Sequence, residues 1–143
     1  MKTMLNHLIV FNPSLKLTQL RKDVLTIIME AKKPISATNI LRELKKNRGN
    51  AEPPTAYRVI EYLLEKGVIH KINSENKYVL CSHIAQPLKS NEHGFIFICK
   101  KCSCSKEIKD KKFRKYVHGL TESYLFLIDN SPIEINGICE NCQ

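Results

Sequence analysis

The sequence has no apolar run approaching the roughly 20 residues a helix needs to span a bilayer, so no segment reads as transmembrane. Its start, MKTMLNHLIVFNPSLKL, has a short apolar patch behind one leading Lys and no small-residue cleavage pattern, so no secretory signal is read there. No internal repeat is visible. These absences lead to the expectation of a cytoplasmic protein without a membrane partner. In a reducing compartment its six cysteines are more readily metal ligands than a disulfide framework.

What is present suits a folded chain. The apolar share of 43% and charged share of 26% over 143 residues are ordinary for globular proteins and allow one domain or two small ones. The net charge of +9 is uneven: residues 1 to 80 hold 14 Lys/Arg against 7 Asp/Glu, and residues 81 to 143 hold 9 against 7. A basic N-terminal half suits a polyanionic partner, because Lys and Arg gain affinity for nucleic acid by releasing condensed counterions. On charge alone a solvated basic face is as good a reading.

Thr18 caps a predicted helix to about Glu30, with Leu20, Val24, Leu25, Ile27 and Ile28 on a broad apolar face. Ser36 caps a second, where Ile35 and Ile40 are spaced as a hydrophobic staple and Leu41 and Leu44 continue the face. After the turn KKNRGNAE, Pro53 and Pro54 start a third, with Tyr57, Ile60, Leu63 and Leu64 at helical spacing and Gly67 ending it. VIHKI and KYVLC around Asn73–Asn76 predict a hairpin. Three helices and a hairpin make a winged helix-turn-helix over residues 1–81. Residues 82–91, with Pro87 and no clear period, read as a hinge. Residues 92–143 predict a small α+β domain: strands FIFIC and SKEIKD, a helix over Lys111–Ser123, then strands YLFLID and PIEING. The fold class is therefore α+β.

Two C-x-x-C knuckles, Cys99/Cys102 and Cys139/Cys142, carry the strongest chemical signal. Two thiolates on a tight turn bind one metal, and two such turns complete a tetrahedral four-sulfur site suited to Zn²⁺. With 36 residues between the knuckles, the metal would staple the start of the second domain to its end, a folding role with no open position for substrate. A redox pair, an iron centre and a disulfide are the other readings.

In a helix-turn-helix the first turns of the recognition helix meet the major groove, which points to Thr55, Tyr57 and Arg58 of PPTAYRVIEYLLEKG. Arg58 best suits base reading, since its fork matches a guanine edge. A solvated Arg, or one paired with Glu61, is the alternative. Tyr57 fits either the apolar face or a DNA contact. Lys71 and Lys77 on the wing would touch backbone or minor groove, or else are ordinary surface lysines.

Nearly the whole chain after about Leu15 resembles a known family. LTQLRKDVLTIIMEAKKPISATNILREL…PPTAYRVIEYLLEKGVIHKI is similar to the N-terminal domain of the ferric uptake regulator (Fur) family, and KYVLC…HGFIFICKKC…KEI…GICENC to its zinc uptake regulator branch. The resemblance implies a homodimer joined through the C-terminal domains, and a regulatory metal between the two domains of each subunit. It implies ligands His70, Cys81, His93 and Glu107, with His83 as the alternate for His93. Two imidazoles, a thiolate and a carboxylate make a tetrahedral set in which the thiolate favours Zn²⁺ over the harder ferrous ion. Cys81 also reads as a small buried hydrophobe at a strand end.

Departures from the family pattern matter too. Thr38 stands where relatives often carry a DNA-contacting tyrosine. Ser103-Cys104 replaces Cys-Gly, leaving Cys104 as either a bystander or a competing ligand. The histidine-rich stretch of iron-sensing members is missing around residues 83 to 93. The expected function is a zinc-responsive repressor of zinc-uptake genes that binds operator DNA as a dimer, with one structural and one regulatory Zn²⁺ per subunit and no small-molecule substrate. An iron or peroxide sensor of the same fold is the nearest rival. A hydrolytic zinc enzyme, with Glu107 as base, is opposed by a ligand set that saturates the metal and by the lack of H-E-x-x-H or H-x-E…P-C-x-x-C patterns. A zinc-ribbon adaptor would leave Arg58 and the basic half unexplained.

Overall fold

A computed structural model describes residues 15–49, 52–81, 94–108, 110–128 and 131–143. The chain divides into two compact units, Met1–Pro87 and Leu88–Gln143.

In the first unit, α1 spans Gln19–Glu30, α2 Ala37–Arg48 and α3 Pro53–Glu65. The sequence determines their starts locally. The Thr18 side chain accepts from the Arg21 amide and Ser36 from the Asn39 amide, each covering one of the orphan donors of a first turn. Prolines open α3 instead, where a missing N–H costs nothing. Its end is a Schellman turn: the Gly67 amide donates to the Leu64 carbonyl and Val68 to Leu63, with Gly67 at φ 63°.

Val24, Leu25, Ile40, Leu44, Ile60 and Leu63 are essentially solvent-free and form one core with Ile69. Truncating any of these to Ala costs about 2–5 kcal/mol by lost burial and the cavity left behind. On α3 the buried positions are Ala56, Val59, Ile60 and Leu63, an i, i+3, i+4, i+7 stripe that leaves Tyr57 out on the solvent side, 48% exposed. Of the expected face, Ile60 and Leu63 are buried and Leu64 is half-buried, whereas Tyr57 falls outside it.

The wing is an antiparallel hairpin of β1 (Ile69–Ile72) and β2 (Lys77–Leu80), in register from Ile69 opposite Leu80 to Ile72 opposite Lys77. Asn76 takes φ 50°, a left-handed conformation Asn tolerates. Ile35 adds a single bridge to Tyr78, with paired bonds of 2.9 and 2.8 Å, which tie the entry to α2 onto the wing.

The second unit is a three-stranded sheet in the order β4-β3-β5: β3 (Phe95–Cys99) pairs antiparallel with β4 (Ser105–Ile108) and parallel with β5 (Ile133–Gly137). Helix α4 (Lys111–Ser123) lies in the connection, capped by the Asp110 carboxylate, which accepts from the Lys112 and Phe113 amides. Phe113 packs against Phe95 with ring centroids 4.6 Å apart. Burial is concentrated on β3, and no residue of α4 is fully buried.

One predicted strand is not formed. In YLFLID, Tyr124 and Leu125 form a turn, Leu125 has φ 53°, and Phe126–Ile128 pair with no strand among the described residues. The Phe126 amide instead donates back to the Thr121 carbonyl at 2.8 Å. β-propensity is satisfied only beside a partner strand, and this run has none within the described part of the unit.

Candidate metal centres and nucleic-acid interface

The knuckles meet because of the sheet register. Parallel pairing places Cys99 opposite Gly137, so Cys139, two residues further on, arrives beside the first knuckle. The Lys100 amide donates to the Gly137 carbonyl at 2.9 Å, and Lys101 Nζ reaches the Cys142 carbonyl at 2.7 Å. The Sγ atoms of Cys102 and Cys139 are 3.7 Å apart. Four sulfurs about 2.3 Å from a tetrahedral ion stand about 3.8 Å from one another, so this spacing fits Zn²⁺.

Amides aimed at sulfur complete the arrangement. The Cys139 amide donates to Cys99 Sγ at 3.4 Å. Backbone N–H groups of Cys102 and then Cys139 favour the Cys99 thiolate and pull its pKa down to about 5. Cys104 and Cys142 are both pushed up to about 12, the first by hydrogen bonding to the Cys102 and then the Cys139 sulfur, the second by Cys139 and then Cys102.

The cluster holds one more thiol than the knuckles supply. Cys99, Cys102, Cys104 and Cys139 have their sulfurs all within 4.8 Å of one another. The signal available in the sequence was the position of Cys104 just before a strand that must turn back along β3. That strand register is a tertiary fact.

A second pair of donors sits on the wing. Cys81 follows β2 and is anchored by its amide to the Val68 carbonyl at 2.9 Å. Because His70 lies opposite Val79, Cys81, two residues beyond Val79, shares the His70 face of the ribbon. Their ligand atoms lie within 4.8 Å of one another, the thiol buried and the imidazole half-buried. In the second unit Glu107 sits on β4 opposite Ile96. Its Oε1 lies 3.6 Å from where a side chain on Gly94 would begin, an ordinary van der Waals distance. His93 and His83 fall outside the described residues.

Thr55, Tyr57 and Arg58 all project from the outer side of the first turns of α3 and are exposed. Arg58 forms no ion pair with Glu61, so its guanidinium stays available. On the wing Lys71 is half-buried and Lys77 pairs with Glu75 at 2.6 Å, an ion pair a phosphate would have to displace. No helix among the described residues is long and apolar enough to cross a membrane.

The second unit also exposes Tyr116, Leu120, Tyr124, Leu125, Phe126 and Leu127, the two leucines at 94% and 96% for positions 125 and 127. Six exposed large apolar side chains within twelve positions are more than the scattered single ones usual on a monomer's surface.

The family model of the ferric uptake regulator family matches residues 12–136. The chain is similar to the zinc uptake regulation protein of Escherichia coli (strain K12), 34% identical over 129 residues that cover 90% of this chain and 74% of that protein. It is also similar to a ferric uptake regulation protein of Staphylococcus epidermidis, 28% identical over 90% of this chain and 88% of that one. Among solved structures, one described as a zinc uptake regulator complexed with zinc and DNA matches with a TM-score of 0.81 at 34% identity, covering 90% of this chain and 84% of the other. The crystal structure of holo XcZur matches with a TM-score of 0.76 at 30% identity, covering 90% and 86%.

Proposed function

The chain belongs to the ferric uptake regulator family, and from that membership we propose that it is a zinc-responsive transcriptional repressor that binds the operators of zinc-uptake genes as a homodimer in the cytoplasm, with no catalytic role. The observation that carries this reading is the pairing of His70 with Cys81 on one face of the wing, next in the chain to the exposed Arg58 helix. A thiolate in the sensing set favours zinc over ferrous iron, which agrees with the likeness to a zinc uptake regulator bound to zinc and DNA.

One Zn²⁺ per subunit is structural, held by the knuckles with Cys99, Cys102 and Cys139 as ligands and Cys142 as the fourth. The other is regulatory, held by His70 and Cys81 with Glu107 and His93 supplied from the second unit. A zinc ion held there would supply a cross-link. His70 and Cys81, tied through it to Glu107 and His93, would hold the state in which both recognition helices of the dimer suit one operator, so that DNA binding would no longer bear the entropy of ordering two loose modules. Thr55, Tyr57 and Arg58 then meet the major groove while Lys71 and Lys77 contact the backbone. The open apolar surface from Tyr116 to Leu127 is the dimer contact, in which the unpaired YLFL run finds its strand partner.

The test is a metal titration of apo-protein followed by binding to DNA from upstream of a zinc-transporter gene. Zinc is expected to raise affinity for the wild type and to have little effect on Cys81→Ser. Unchanged affinity with zinc, a Cys81→Ser variant that responds like wild type, or full activity with Fe²⁺ alone would overturn the reading.

A further inference from the structure

A tetrahedral ion takes four sulfurs, yet five thiols gather around the knuckles. The backbone brings the extra one in. Ser103 adopts φ 57°, reversing the chain after the C-x-x-C turn, and its amide donates to the Cys99 carbonyl at 2.9 Å. Cys104 then enters the β3–β4 hairpin, its carbonyl accepting from the Cys99 amide at 2.9 Å. That pairing swings the Cys104 sulfur into mutual range of Cys99, Cys102 and Cys139, all within 4.8 Å. Cys142 is not one of that quartet, but it closes the C-x-x-C turn that begins at Cys139: it ends the 3-10 turn Glu140–Cys142, and its amide donates to the Cys139 carbonyl at 2.9 Å.

Three sulfurs are therefore common to two possible four-sulfur sets. Taking the knuckles as a zinc staple, we propose that Cys104 and Cys142 are interchangeable fourth ligands of the structural Zn²⁺, with Cys99, Cys102 and Cys139 as the fixed three. Whichever of the two is not bound stays close as a neutral thiol. It replaces its counterpart by losing its proton as the departing thiolate gains one, so charge at the site is conserved. Loss of either thiol then leaves a complete four-thiolate site, whereas a four-cysteine site drops to three.

The experiment uses the full chain in a Cys81→Ser background, so every remaining thiol belongs to this cluster. Co²⁺ replaces zinc, since the strength of its thiolate charge-transfer absorption counts coordinated sulfurs, and zinc content is read independently by native mass spectrometry. Cys104→Ser and Cys142→Ser are each expected to keep one metal with a four-thiolate spectrum. The double variant is expected to fall to a three-thiolate spectrum or lose the ion. A Cys142→Ser chain that loses a sulfur, loses the metal or fails to fold, beside a Cys104→Ser chain that behaves like the parent, overturns the proposal and leaves the staple reading standing. A parent that shows no four-thiolate metal overturns both.

Discussion

Cys99, Arg58 and Cys81 are single residues whose chemistry comes from different sources. Amides that point at the Cys99 sulfur favour its thiolate, the form that binds metal, and the C-x-x-C spacing already announces that turn. Arg58 depends on where α3 begins, which Pro53 and Pro54 mark. Arg58→Ala is expected to weaken operator binding by about 1–3 kcal/mol and relax specificity at one base pair. Lys71→Ala should instead weaken binding to all sequences alike and reduce the salt slope by about 1. Fluorescence anisotropy with operator and scrambled DNA at several salt concentrations separates the two, and equal losses on both DNAs for Arg58→Ala would place that residue on phosphate. Cys81 was legible only through resemblance, because a cysteine closing a strand is as good a small apolar residue as a ligand. The hairpin register is what aligns it with His70.

At the scale of elements, capping chemistry and the 3.6-residue period made the four helices among the described residues readable, to within a residue at the starts of α1, α2 and α4. Gly67 closes α3 at φ 63°, and a side chain there would meet nothing within 4 Å of its first carbon, so the glycine's role is conformational rather than steric. Gly67→Ala is expected to cost about 1–2 kcal/mol through left-handed strain, read as a lower urea midpoint with an unchanged slope. At the start of α4 the Asp110 carboxylate accepts from the Phe113 and then the Lys112 amide, which holds its pKa below the ordinary aspartate value. A carboxyl with a lowered folded-state pKa contributes stability that is present above the unfolded value and disappears as pH falls through the folded one. The Phe113 amide resonance should therefore titrate with a midpoint below that of an exposed aspartate, and Asp110→Asn should abolish that titration. YLFLID misled the strand reading because its residues have strand propensity without a strand to pair with among the described residues.

For the whole molecule, the large buried side chains among the described residues of the second unit are Phe95, Ile96 and Ile98, and α4 contributes none. With so few of them, a four-thiolate zinc and a second copy would each add support. Leu125→Asp with Leu127→Asp is expected to shift the protein from dimer to monomer in sedimentation velocity and to reduce operator affinity, because two half-sites are no longer read together. An unchanged dimer would move the contact elsewhere. A basic first half was visible in composition. What the sequence determined by itself was local: caps, periodicity, turn residues and paired cysteines act within a few positions of one another. Only the tertiary structure decided that Cys139 meets Cys99 across 40 residues, that Cys104 joins them, and that YLFL stays uncovered. Those outcomes depend on how β3, β4 and β5 pair, and strand pairing is a contact between distant segments that no local preference encodes.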